Sequence, residues 1–150
     1  MTADPDIRDM KNRQRWMGVL SKAPAMELGA ALDAVGDVPQ YEYIRPPEFG
    51  SVLLRGRIGG NGSPFNFGEA TMTRCTLRLA SGGPMGFGYV LGRNKRHAEI
   101  AAIFDALLQA GSAKAFAQVD RLERGQSARD ARETAATASS KVDFFVLARE

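Results

Sequence analysis

The stretch RGRIGGNGSPFNFGEATMTR, from Arg55 to Arg74, gathers residues suited to chemistry: guanidinium groups at Arg55, Arg57 and Arg74, glycines at Gly59, Gly60 and Gly62, the Asn66 amide and the Glu69 carboxylate. Glycine-rich turns expose backbone N–H groups, and such nests beside guanidinium forks can hold phosphate-like anions. The commoner arrangement of the same residues is a wide hairpin turn whose arginines pair with Glu48, Glu69 or a partner's acids. Between Gly50 and Leu79, four arginines stand against the single acid Glu69 and lysine is absent. That bias suits forked hydrogen bonding to carboxylate or phosphate better than diffuse solubilising charge.

Sharper motifs fail on spacing. GGNGSPFNFGE lacks the Gly-Lys-Ser/Thr of a P-loop, and a strand follows it where a dinucleotide fingerprint requires a helix. MGFGYVLGR does precede a helix, but its glycines lie inside an alternating strand. RGRIGG occurs once, between strands, unlike the repeated disordered RGG tracts that bind RNA. His97, the only histidine, could serve as a general acid or base, yet its position in the first turn of an amphipathic helix favours capping or packing. Glu69 could act as a base or hold magnesium, or lie on the surface paired with arginine. Cys75, the only cysteine, reads as a buried strand residue; disulfide frameworks and Cys-rich or multi-histidine metal sites are excluded within one chain.

These residues need elements to carry them. Residues 6–22 read as a helix with Met10, Met17 and Leu20 near one face and Trp16 beside them. Pro24 opens a second helix along Leu28, Leu32 and Val35, which Gly36 closes. YEYIR predicts a strand, Pro46-Pro47 a turn, and SVLLRGRI a second strand with Val52 and Leu54 one way and Arg55 and Arg57 the other. Residues 67–79 alternate Cys75, Leu77 and Leu79 against Arg74, Thr76 and Arg78. A hairpin here could set two arginine-rich faces side by side. SGGP turns the chain into MGFGYVL, with Met85, Phe87, Tyr89 and Leu91 on one face. Asn94 then caps the helix KRHAEIAAIFDALLQ, which Gly111 ends. Residues 126–140 are weakly helical and poorly apolar. The terminal KVDFFVLARE reads as a strand apolar on both faces, joining this sheet or a partner. The class is α+β: an antiparallel meander packed with N-terminal and central helices.

The chain's 150 residues, 44% of them hydrophobic, suit a single domain spanning 1–150. The start is charged, and no apolar run reaches membrane-spanning length, so the expected location is the cytoplasm, without a membrane partner. A pI near 9.3 suits anionic partners. With 17 acids against 20 basic residues, a broad nucleic-acid surface is not expected.

YEYIRPPEFGSVLLRGRIGGNGSPFNFGEATMTRCTLRL resembles the G subunit of the bacterial carbon-phosphorus lyase core complex, and the resemblance extends through RWMGVL, GYVLGRNKRHAEIAAIFDALLQ and the terminal VDFF. It departs just before VDFF, where Ser139, Ser140 and Lys141 replace the family's Ala-Thr-Arg. The resemblance implies an accessory subunit of a complex with H, I and J subunits, closest to I, with a homodimer plausible for the isolated chain. That complex joins an alkylphosphonate to C1 of the ATP ribose and releases adenine. It implies no cofactor bound by this chain alone, with Mg-ATP as substrate of the complex. It assigns no catalytic residue here, so Arg55, Arg57, Gly59, Gly60, Gly62, Asn66, Glu69, Arg74 and His97 stand as candidates for substrate or partner contact. A stand-alone anion- or nucleotide-binding module is the alternative.

Overall fold

A computed structural model describes residues 5–56 and 62–138. Four helices and three strands follow in the order α1 (Pro5–Lys22), α2 (Ala25–Val35), β1 (Tyr41–Gly56), β2 (Phe65–Leu79), β3 (Met85–Leu91), α3 (Lys95–Gln109) and α4 (Ala113–Ala138). The strands form an antiparallel sheet in the order β1-β2-β3, the meander expected from the turn signals.

α3 is the central helix and covers one face of this sheet. Its residues 100–108 are buried without interruption, and Cys75, Leu77, Leu79 and Val90 meet it from the strands. The contact depends on two glycines of β3. A Cβ on Gly86 would lie 1.9 Å from the Ala102 carbonyl, and one on Gly88 would lie 2.0 Å from that of Ala98. Only glycine lets the helix backbone approach so closely. The core face of β3 is therefore Gly86, Gly88 and Val90. The apolar series Met85, Phe87, Tyr89 and Leu91 points the other way, and Leu91 is 69% exposed.

Two further expectations change. Pro46-Pro47 does not turn the chain: β1 runs straight through it, with register shifts between Tyr43 and Arg45 and between Arg45 and Glu48. Proline lacks the ladder donor, but among the described residues β1 is an edge strand, where bulges absorb such a loss. On α1, Met10 is exposed, while Trp16, Val19 and Leu20 are buried. α4 begins well before residue 126 and is anchored by Ala115, Val119 and Leu122. Its residues 130–136 are exposed. The terminal strand expected over 141–150 lies outside the described residues.

β1 and β2 are about twice as long as β3, which pairs with β2 only between Met72 and Arg78. Beyond that point, among the described residues, residues 51–56 and 65–71 pair only with each other. The hairpin thus leaves the helix-backed body as a two-stranded arm about 20 Å long at the usual strand rise.

Candidate functional site

The arm and the body divide the residues expected to act together. Arg55 is exposed near the tip, paired through its backbone with Asn66; Gly62 lies in the connection and Glu69 is exposed opposite Leu53. Arg57, Gly59 and Gly60 lie outside the described residues. Arg74 sits in the body, seven residues along the ladder from Arg55, because its partner in register is Glu48. The two arginines also occupy opposite faces. Arg55 continues the strand face of Phe49 and Leu53, which looks toward α3, while Arg74 lies on the outer face, between Glu48 and Tyr89. The side-by-side arginine faces therefore do not form between Arg55 and Arg74.

Arg74 Nε donates to Glu48 Oε1 at 2.7 Å, and Arg45 Nη1 approaches the same oxygen at 3.3 Å. All three side chains are 41–49% exposed, so the ladder contributes little more than about 0–1 kcal/mol per pair. His97 takes a structural position. The Asn94 side chain accepts from its backbone N–H, capping α3, and His97 Nε2 lies 3.0 Å from the Leu20 carbonyl. A carbonyl can only accept, so Nε2 carries the proton and ties the end of α1 to the start of α3.

Three polar clusters had no place in the sequence reading. Asp105 is fully buried on α3 and accepts from Arg13 Nε and Nη2, Trp16 Nε1, the Phe87 backbone N–H and Gln109 Nε2 at 2.9–3.2 Å. The arrangement satisfies the carboxylate, binds α1 to α3 and caps the edge of β3 away from β2, where Gln109 also donates to the Met85 carbonyl. The hydrogen bond to Asp105 raises the Arg13 pKa despite partial burial. A groove of about 570 Å³ runs beside this network; of its polar lining residues Asp9, Asn12, Arg13 and Gln109, the last two are already engaged with Asp105. An acid inside the apolar run AAIFDALLQ was the available signal.

The second cluster joins α3 to β1. Tyr41 and Tyr43 both donate to Glu99 Oε1, the latter at 2.8 Å, and Arg96 reaches Oε2 at 3.3 Å. Burial favours the protonated carboxyl, but the two phenols and Arg96 outweigh it and Glu99 titrates below its ordinary value. Burial and the hydrogen bonds to Glu99 push both tyrosines up. Beside them, burial lifts the Cys75 thiol to about 12, so at neutral pH it is no thiolate nucleophile.

The third lies where the arm leaves the body. Phe49, 44% exposed, has the Arg93 guanidinium and the Lys95 ammonium each 5.1 Å from its ring centroid. Among the described residues, no group of three or more His, Cys, Asp or Glu side chains could hold a metal ion, and no helix is long and apolar enough to cross a membrane.

These features define a class: a helix-backed α+β protein whose interior polar groups are committed to structure and whose candidate binding residues sit on and below a projecting arm. The chain belongs to the PhnG family of phosphonate metabolism proteins, whose family model matches residues 11–150. It is 41% identical over 146 residues to a Rhizobium meliloti protein named alpha-D-ribose 1-methylphosphonate 5-triphosphate synthase subunit PhnG. That similarity covers 96% of this chain and 93% of the relative.

Proposed function

We propose that this chain is a subunit, not catalytically self-sufficient, of an alpha-D-ribose 1-methylphosphonate 5-triphosphate synthase in phosphonate breakdown. The near-full-length similarity to a subunit of that name carries the reading. The arm adds a physical reason: among the described residues, a two-stranded ribbon with exposed Leu53 and Arg55 has no third strand or helix of the kind that normally stabilises one, and a neighbouring chain would supply it.

In the reaction so assigned, an oxygen of the alkylphosphonate forms a bond to C1 of the ATP ribose as the bond from C1 to N9 of adenine breaks. The electron pair leaves with adenine, which takes up a proton. Mg-ATP is the substrate of the complex, and the ion balances the charge of the triphosphate. The partners are the H, I and J subunits, with I the nearest, and the compartment is the cytoplasm, where ATP is supplied. This chain acts as one domain that helps direct the chemistry toward phosphonate, and forms a homodimer when isolated.

Co-expression of the tagged chain with the H, I and J subunits, followed by native mass and an adenine-release assay, tests the reading. A stoichiometric complex whose methylphosphonate-dependent adenine release needs this chain is expected. A chain that purifies alone under co-expression and binds Mg-ATP unaided in calorimetry would establish the stand-alone anion or nucleotide module instead.

A further inference from the structure

We propose that the α3-facing side of the arm, together with Arg93 and Lys95, is the docking surface for a partner subunit, received through a segment that carries carboxylates next to an apolar side chain. The proposal rests on the subunit reading above and adds which surface is used and what chemistry it receives.

Three observations carry it. The register sets Phe49, Ser51 and Leu53 on one strand face opposite Thr73, Thr71 and Glu69, a series that runs from the buried Thr73 at the margin of the body out to the exposed Glu69. Phe49 and Leu53 are 44% and 55% exposed there and form an apolar floor. Arg93 and Lys95 are drawn over the inner end of that floor by the Phe49 ring, at 5.1 Å each. Their charge is also unbalanced. The first turn of α3 contains no acid, Arg96 is paired with Glu99, and among the described residues neither Arg93 nor Lys95 has an acid within ion-pair distance.

Cations beside the positive end of a helix repel it, so carboxylates from outside relieve both charges at once. An exposed aromatic flanked by cations, with a leucine alongside, also has the composition of an interface centre, where aromatic and arginine anchors concentrate. Glu69 places an acid at the outer end of this face, so the incoming carboxylates are received at the α3 end and the apolar side chain toward Leu53.

The test uses the full chain co-expressed with the H, I and J subunits. The Arg93→Glu, Lys95→Glu double variant, purified alone, should melt no lower than wild type, because acids suit a helix N-terminus. Its recovery in the complex should fall at least tenfold. Leu53→Ser should also reduce recovery, while Leu91→Ser, on the opposite face, should not. In the wild-type complex, a zero-length carbodiimide crosslink should join Lys95 to a partner carboxylate. Wild-type recovery of the double variant, or of Leu53→Ser, would overturn the surface. So would intact assembly accompanied only by a raised Mg-ATP requirement, which would make Arg93 and Lys95 contacts to substrate. If wild type itself does not assemble, the subunit reading falls and takes this surface with it.

Discussion

The helix-backed body and the two-stranded arm are built from the same two strands, yet they tolerate different things. In the body, β2 is flanked by β1 and β3 and covered by α3, and Thr73, Cys75, Leu77 and Leu79 are all buried. In the arm, the same alternation continues with no further strand paired on either side among the described residues, and Leu53 remains exposed. The glycines show the contrast most directly. A methyl group on Gly86 or Gly88 would strike the α3 backbone, whereas one on Gly50 or Gly68 would meet nothing within 4 Å. Alternation sets which way a side chain points; a covering layer decides what that is worth.

The largest effect is expected at the buried carboxylate. Asp105→Asn keeps the shape but removes the charge opposite Arg13 and one of two accepting oxygens, stranding donors from α1, α3 and β3. A loss of about 3–5 kcal/mol in urea unfolding is expected. A loss under 1 kcal/mol would remove Asp105 from the centre of the body.

Gly88→Ala should cost about 3 kcal/mol, because the α3 backbone must retreat. The matched arm substitution, Gly68→Ala, should stay within about 0.5 kcal/mol in the isolated chain. Equal penalties in the two would erase the distinction between body and arm.

Glu99→Gln should cost about 1–2 kcal/mol at neutral pH. The folded pKa of Glu99 is lowered, so its stabilisation is complete above the unfolded value of about 4.3 and disappears as pH falls through the folded value. Denaturation curves of wild type and variant should therefore converge on acidification. A gap that widens below pH 4 contradicts the hydrogen-bonded, charged carboxylate.

The smallest effects belong to the exposed cations. Arg74→Ala should change stability by less than about 1 kcal/mol, reading the half-exposed pair with Glu48, and Arg55→Ala by less still. An effect of Arg55→Ala on complex recovery without one on melting would place its role in assembly.

Much of the body could be read directly from residue types. The α3 stripe, its Asn94 cap, the SGGP turn and the β2 alternation are local patterns, and each has its expected element. The Pro46-Pro47 bulges were less accessible, because proline reads as a turn unless the strand is known to lie at an edge. The core face of β3 was misleading for a related reason: glycine has no hydrophobic signal, so Gly86 and Gly88 mark a buried face only once a helix is seen against them. The candidate arginines were legible as types and not as a cluster. Their separation follows from a register that begins at the hairpin connection.

By itself, the sequence determined the family, the α+β class, the order of the elements, and a central segment rich in arginine and glycine. These depend on local propensity, short-range periodicity and a long matching pattern. Tertiary structure alone decided that Asp105 and Glu99 are fastenings between elements, that Arg55 and Arg74 part company, and that Phe49, Arg93 and Lys95 meet below the arm. Each of these joins residues far apart in the chain, and such meetings depend on which face a strand turns toward a helix and where that helix stops.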